Sequence, residues 1–195
     1  MAKRGDIAAF ETLVLEYEKL VYSVSLRMLG SNEDACDTVQ EVFLRMYRNI
    51  QSFDDSKHLK NWLCRVTNNL CIDTLRQRRR GLGGHSSEAL YNLETILEAY
   101  PETQLSAEEQ AILNEQRTLL ERSLSKLPSG YRIMIILRDI NNLSYNEIAE
   151  ITRTSLGTVK SRISRSRNRL REIYSKEQKP LKIVKLDKSS VRRES

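Results

Sequence analysis

The sequence predicts an all-α protein: two small helical domains joined by an acidic linker. Three observations predict it. Seven Gly and three Pro in 195 residues are too few for a turn-rich sheet protein. Apolar residues recur at i, i+3, i+4 and i+7 through both halves, which places them on one face of a 3.6-residue helix. Charge is also segregated: residues 1–80 hold 13 Lys/Arg and 11 Asp/Glu, 81–116 seven Glu and no basic residue, 117–175 12 basic and five acidic, and 176–195 seven and three. With 39% hydrophobic and 30% charged residues, the chain is apolar enough to build cores, and its length suits one ordinary domain or two small ones.

The elements follow in order. Phe10, Leu13, Val14, Tyr17, Val21, Val24 and Met28 predict a helix over about 6–29, stopped by Gly30. Ser31 reads as an N-cap, with Glu33 and Asp34 where carboxylates favour the helix dipole. Ala35, Val39, Val42, Phe43, Met46, Tyr47 and Ile50 then carry a second helix to about residue 50. Beyond the polar loop Gln51-Ser-Phe-Asp-Asp-Ser, a third begins near Lys57, striped by Leu59, Trp62, Leu63, Val66, Leu70 and Leu75 and ending in Arg76-Gln-Arg-Arg-Arg80. Residues 1–80 thus form one domain. Gly81-Leu-Gly-Gly84 breaks the pattern, and 81–105 reads as a flexible acidic linker.

The second domain spans 106–175. Ser106-Ala-Glu-Glu109 is a capping box opening a helix through Leu119, Leu120, Leu124 and Leu127, which Pro128 stops. Tyr131 to Asp139 make another helix, faced by Ile133, Met134, Ile136 and Leu137. A second capping box, Ser144-Tyr-Asn-Glu147, opens a short helix with Ile148, Ala149 and Ile151. The turn Thr152-Arg-Thr154 leads into a last helix from about Ser155 to Tyr174. The tail, 176–195, is basic with few large apolar residues, so disorder is expected there. There is no internal repeat.

Several functions are excluded by composition. Cys36, Cys64 and Cys71 form no CxxC pair, and His58 and His85 are the only histidines, so no metal site is expected. No nucleophile–base pair is visible, so neither an enzyme, a cofactor nor a small-molecule substrate is expected. No apolar h-region follows the basic N-terminus, and no apolar run approaches the roughly 20 residues that span a bilayer. The chain is therefore expected in the cytoplasm, with reduced thiols and no membrane insertion.

Residues 144–174 have the form short helix, tight turn, longer basic helix, which is a helix-turn-helix. In that arrangement the second helix enters the major groove of DNA. Thr158, Lys160, Ser161, Arg162, Ser164 and Arg165 are polar or basic, while Val159, Ile163 and Leu170 supply the inward stripe. Gly157 leaves the helix start open to a phosphate. Lys160 and Arg165 are candidates for base contacts, because Lys and Arg pair with guanine acceptors. Arg162, Arg167 and Arg169 are candidates for phosphates, which position without specifying.

Leu127-Pro-Ser-Gly-Tyr-Arg-Ile-Met-Ile-Ile-Leu-Arg-Asp139, Leu143-Ser-Tyr-Asn-Glu-Ile-Ala-Glu150 and Gly157-Thr-Val-Lys-Ser-Arg162 resemble region 4 of bacterial RNA polymerase sigma factors. Asp37-Thr-Val-Gln-Glu-Val-Phe-Leu-Arg45 resembles the polymerase-binding segment of sigma region 2, and Trp62-Leu-Cys-Arg-Val-Thr-Asn-Asn-Leu-Cys-Ile-Asp73 with the following arginines resembles the segment that reads and opens promoters. With no third domain between them, the match is to the extracytoplasmic-function (ECF) type.

The resemblance implies a factor that binds core RNA polymerase and promoter DNA, opens the upstream-ten element and serves a stress or envelope response, commonly held in check by an anti-sigma factor. It places Asp37, Gln40, Glu41 and Arg45 on the polymerase, and Phe53, Asn69 and Asp73 at the upstream-ten element. Arg76, Arg78, Arg79 and Arg80 fall where duplex phosphates lie, and residues 157–169 at the upstream-thirty-five element. Trp62 reads as core rather than as a stacking platform. The alternative is a stand-alone helix-turn-helix repressor or activator, which binds without polymerase and usually as a dimer. Two departures stand out: a more polar turn, Thr152-Arg-Thr-Ser155, and a longer basic tail. The acidic stretch 81–116, spanning roughly 35 Å as a coil and up to about 120 Å extended, could also fold back on either basic surface and restrain the free protein from DNA.

Overall fold

The computed structural model describes residues 7–50, 56–81 and 106–178. Every regular element among them is helical: α1 (Ile7–Leu29), α2 (Asn32–Asn49), α3 (Ser56–Arg79), α4 (Ala107–Ser125), α5 (Ser129–Ile135) running into a π-helical turn (Ile136–Ile140), α6 (Tyr145–Thr152) and α7 (Leu156–Glu177). Phe53, the tail from 179 and the linker from 82 to 105 lie outside the described residues. The last part of the acidic stretch does not act as a spacer, because Glu108, Glu109 and Glu115 stand on α4.

Local chemistry explains most boundaries. Gly30, at φ 73°, takes the left-handed conformation that ends α1. The Ser31 side chain accepts from the Asp34 amide at 3.3 Å and starts α2. Ser106 and Glu109 cap each other reciprocally at α4, and Ser144 and Glu147 do so at α6. α1 to α3 enclose a core of Tyr17, Val21, Val42, Phe43, Met46, Ile50, Leu59 and Leu63, against which Trp62 packs half-buried.

The expected helix from Tyr131 to Asp139 is corrected in two ways. It starts directly after Pro128, whose φ of −54° suits a helix start. It then widens into the π turn, in which the Asn141 amide donates to the Ile136 carbonyl at 3.0 Å. Ile133, Met134, Ile135, Ile136 and Leu137 are all buried. Five consecutive residues cover more than one face of an α-helix, so the core surrounds this segment as its turn widens. α7 also runs to Glu177, beyond the expected Tyr174.

The two helical groups, expected as separate modules, share a core. Val24, Met28, Leu29, Cys64 and Cys71 from α1 and α3 join Leu124, Leu127, Ile133 to Leu137 and Ile148 in one buried cluster. Arg27 and Glu121 meet across this contact at 3.0 Å, with side chains 4% and 1% exposed. Arg132 donates to the Met28 carbonyl at 2.7 Å and Asn61 to the Glu150 carboxylate at 2.8 Å. Periodicity reveals an apolar stripe but not which module covers it.

Candidate nucleic-acid interface

The turn between α6 and α7 is set by Arg153, which adopts the left-handed conformation at φ 51°, and by the Ser155 hydroxyl, which accepts from the Thr158 amide at 3.2 Å. Val159, Ile163 and Ser166 face inward and are essentially fully buried. Opposite that stripe, helical spacing sets Lys160, Ser161, Ser164 and Arg165 in solvent. Arg162 is exposed on the flank and Thr158 is half-buried. Gly157 is exposed, with nothing within 4 Å of where a side chain would begin. The protein does not itself demand glycine there, and the helix start is open to approach.

Arg167 and Arg169 are held differently from their neighbours. Arg167 forms a fork with Asp139, Nε donating at 3.1 Å, and that hydrogen bond holds its guanidinium above the ordinary value for arginine. Arg169 stands over the Tyr131 ring at 4.4 Å. Both tie α7 to α5 and its π turn. Asn168, overlooked in the sequence, lies exposed one turn from Ser164 and Arg165 on the same face. A lone Asn amid basic residues carries no signal of its own.

On α3, Asn69, Asp73, Arg76 and Arg80 form one exposed stripe, with Asp73 and Arg76 paired at 3.5 Å, and Arg79 is exposed beside it. Arg78 departs from the phosphate-facing expectation. It points to the opposite face, pairs with Asp34 and donates to the Leu29 carbonyl at 2.9 Å, fastening α3 to the α1–α2 corner. A run of arginines cannot all face one way on a helix, and the 100° step per residue turned this one inward.

On α2, Asp37, Gln40 and Arg45 are exposed and Glu41 is half-buried, accepting from Arg45 at 2.6 Å. Leu44, 51% exposed, sits between them one turn from Gln40 and Glu41. Tyr47, read in the sequence as part of the buried stripe, is 60% exposed, its ring edge-on to Phe10 at 5.2 Å. Both are apolar side chains that helical spacing alone did not assign to a surface. A recess of about 380 Å³ between α4, the π turn and α7 is lined by Leu120, Leu124, Ile140, Leu170 and Tyr174. Among the described residues no acidic, His or Cys cluster could hold a metal, and no helix is long and apolar enough to cross a membrane.

The exposed basic face of α7, the exposed arginines that end α3 and the charged stripe of α2 around Leu44 are three distinct surfaces of one helical protein with a helix-turn-helix. Residues 13–81 match the family model Sigma-70 region 2, and residues 117–170 match Sigma-70, region 4. The chain is 35% identical over 170 residues to the ECF RNA polymerase sigma factor SigW of Bacillus subtilis, covering 87% of this chain and 91% of that one. It is 34% identical over 166 residues to the ECF RNA polymerase sigma-E factor of Escherichia coli K12, covering 85% and 86%. The chain belongs to the ECF RNA polymerase sigma factor family and directs RNA polymerase to promoters. Its fold is shared by the sigma factor RpoE of Bartonella quintana, solved with the anti-sigma factor NepR (TM-score 0.62, 23% identity, 86% of this chain and 97% of that one). It is also shared by CnrH, solved with the cytosolic domain of CnrY (TM-score 0.62, 23% identity, 90% and 93%). The match to region 2 disfavours the stand-alone repressor or activator.

Proposed function

We propose a division of labour among the surfaces of this sigma factor. The α2 stripe of Asp37, Gln40, Glu41 and Arg45, with Leu44 at its centre, docks on core polymerase. The α3 stripe of Asn69, Asp73, Arg76 and Arg80, with Arg79, meets the upstream-ten element together with Phe53. Lys160 and Arg165 read bases of the upstream-thirty-five element, Gly157, Thr158, Ser161 and Ser164 line the approach, and Arg162 takes a phosphate. Arg167 and Arg169 act mainly by holding α7 in place, and Arg78 by holding α3. The chain contributes binding and positioning rather than catalysis. An anti-sigma factor is a further partner, as it is for the two structural neighbours named above.

The observation that carries this reading is the basic face of α7: among the described residues, Lys160, Arg162 and Arg165 pair with no carboxylate and are exposed, while carboxylate and ring partners hold Arg167 and Arg169. Run-off transcription with purified core polymerase tests it. A transcript dependent on both this protein and an intact two-element promoter is expected; polymerase-independent binding with no transcript would overturn it.

Arg165→Ala should relax specificity at a single promoter position and cost about 1–3 kcal/mol, the usual size of a lost bidentate base contact. Arg169→Ala should lower affinity evenly across sequences and remove a ring contact of about 0.5–1 kcal/mol from the fold. A promoter library measured with each variant, alongside thermal unfolding, separates them. Matching library profiles would contradict the assignment.

A further inference from the structure

The recess between α4, the π turn and α7 is apolar on each wall and lies apart from the surfaces assigned above. Leu120 and Leu124 come from α4, Ile135 and Ile140 from α5 and its π turn, and Leu170 and Tyr174 from α7. Its volume of about 380 Å³ falls in the range of roughly 300–1,000 Å³ in which proteins hold a ligand. The charged groups at its rim are engaged already: Asp139 with Arg167, Glu121 with Arg27, and Arg171 with the Asn168 side chain at 3.4 Å. An occupant therefore gains most by bringing apolar side chains.

The apolar surface continues beyond the recess. Leu120 is 40% exposed, and Leu113 stands two turns earlier on the same face of α4. From Leu113 to Leu124 this track is roughly 16 Å long. Around it, residues 107–116 carry Glu108, Glu109 and Glu115 and no basic residue.

What can reach the track depends on where α7 ends. Lys126 and Glu177 pair at 2.6 Å, which sets the last turn of α7 beside the end of α4. The Gln178 amide donates to the Tyr174 carbonyl at 2.9 Å and closes α7, and Pro180 stops the helix from running on. The chain thus departs one turn beyond Tyr174, at the mouth of the recess. The residues that follow are Leu181-Lys-Ile-Val-Lys-Leu186, four large apolar side chains among lysines. Extended, they span about 17 Å, the length of the track. Laid from Tyr174 back toward Leu113, they bring Lys185 and Lys188 to the acidic half of α4.

We propose that this recess is the seat of the chain's own segment Leu181–Leu186, which folds back along α4 and covers the groove in the free protein. The tether is the pair Lys179-Pro180, and so short a link holds the segment at a millimolar effective concentration. A contact too weak to join separate molecules is then closed most of the time. The groove becomes open to another apolar segment only as the tail leaves. None of this depends on the promoter assignments.

Photo-crosslinking of the full chain tests the seat directly. With p-benzoylphenylalanine in place of Ile183, irradiation should join residue 183 to residues 120–124 or 170–174, and in place of Leu186 it should reach α4 near Leu113. Mixing isotopically light and heavy chains separates contacts within one molecule from contacts between two. Crosslinks between copies would give the groove to a second molecule, and crosslinks confined to other surfaces would take the tail out of it; either result overturns the proposal. Hydroxyl-radical footprinting supplies an independent readout. Changing Leu181, Ile183 and Leu186 together to Ser keeps the tail's length and charge, and should raise oxidation of Tyr174 and Leu120 about threefold or more. Tyr47, 60% exposed on α2, should not change, and Tyr17, 8% exposed, should stay protected. Unchanged rates at Tyr174 and Leu120, or a rise shared by Tyr17, would also overturn it.

Discussion

Replacing Asp37 and Glu41 together by lysine should weaken binding to core RNA polymerase by about 100-fold or more. Both acids lie on one stripe of α2, and Glu41 holds Arg45 at 2.6 Å. Reversal therefore changes the sign of two groups and releases a third, turning attraction into repulsion at the docking face. Charge changes of this kind within a buried part of an interface cost about 2–5 kcal/mol. The fold should be little affected, since an exposed ion pair contributes about 0–1 kcal/mol. Titration of labelled protein with core polymerase measures the first quantity and thermal unfolding the second. Wild-type affinity in the folded double variant would remove the α2 stripe from the docking face. Leu44→Ala should give a smaller loss with no change in salt dependence, because it removes area and leaves the charge in place.

The second large effect is expected from Ile163→Ala. This side chain is 1% exposed on the inward face of α7, within the cluster that joins the helix to the rest of the molecule. Truncating it removes transfer free energy and leaves a cavity, at a cost of about 2–5 kcal/mol. That is a large part of the 5–15 kcal/mol typical of a folded domain. A urea titration should show the lowered midpoint, and binding to an upstream-thirty-five duplex should fall because the recognition helix loses its seat. Lys160→Ala, three residues earlier and in solvent, should lose affinity for that duplex at unchanged stability. If Ile163→Ala left the midpoint in place, the inward stripe of α7 would not be what anchors it.

Much of the architecture was legible because its signals are local. A capping box such as Ser144 with Glu147 is written within four residues, and the hydrogen bonds that satisfy it form within the same turn. The inward stripe of α7 needed only the 3.6-residue period. The π turn after Ile135 was not legible, because it answers to a core that surrounds five consecutive residues and not to their own propensity. Tyr47 shows the same limit from the other side: it continues an apolar series, but α2 turns its ring outward against Phe10.

By itself, the sequence determined the helical class, the order of the elements, the helix-turn-helix and which basic residues stand outward on the recognition helix. Each follows from spacing along one chain segment and from the hydrogen-bonding habits of its end residues. Only the tertiary structure decided that Arg78 faces Asp34 and not solvent, that Asp139 holds Arg167, and that Arg27 and Glu121, 94 residues apart, close one module on the other. These pairings depend on which surfaces meet. Two charges with no local partner look alike in a sequence until burial removes the water between them.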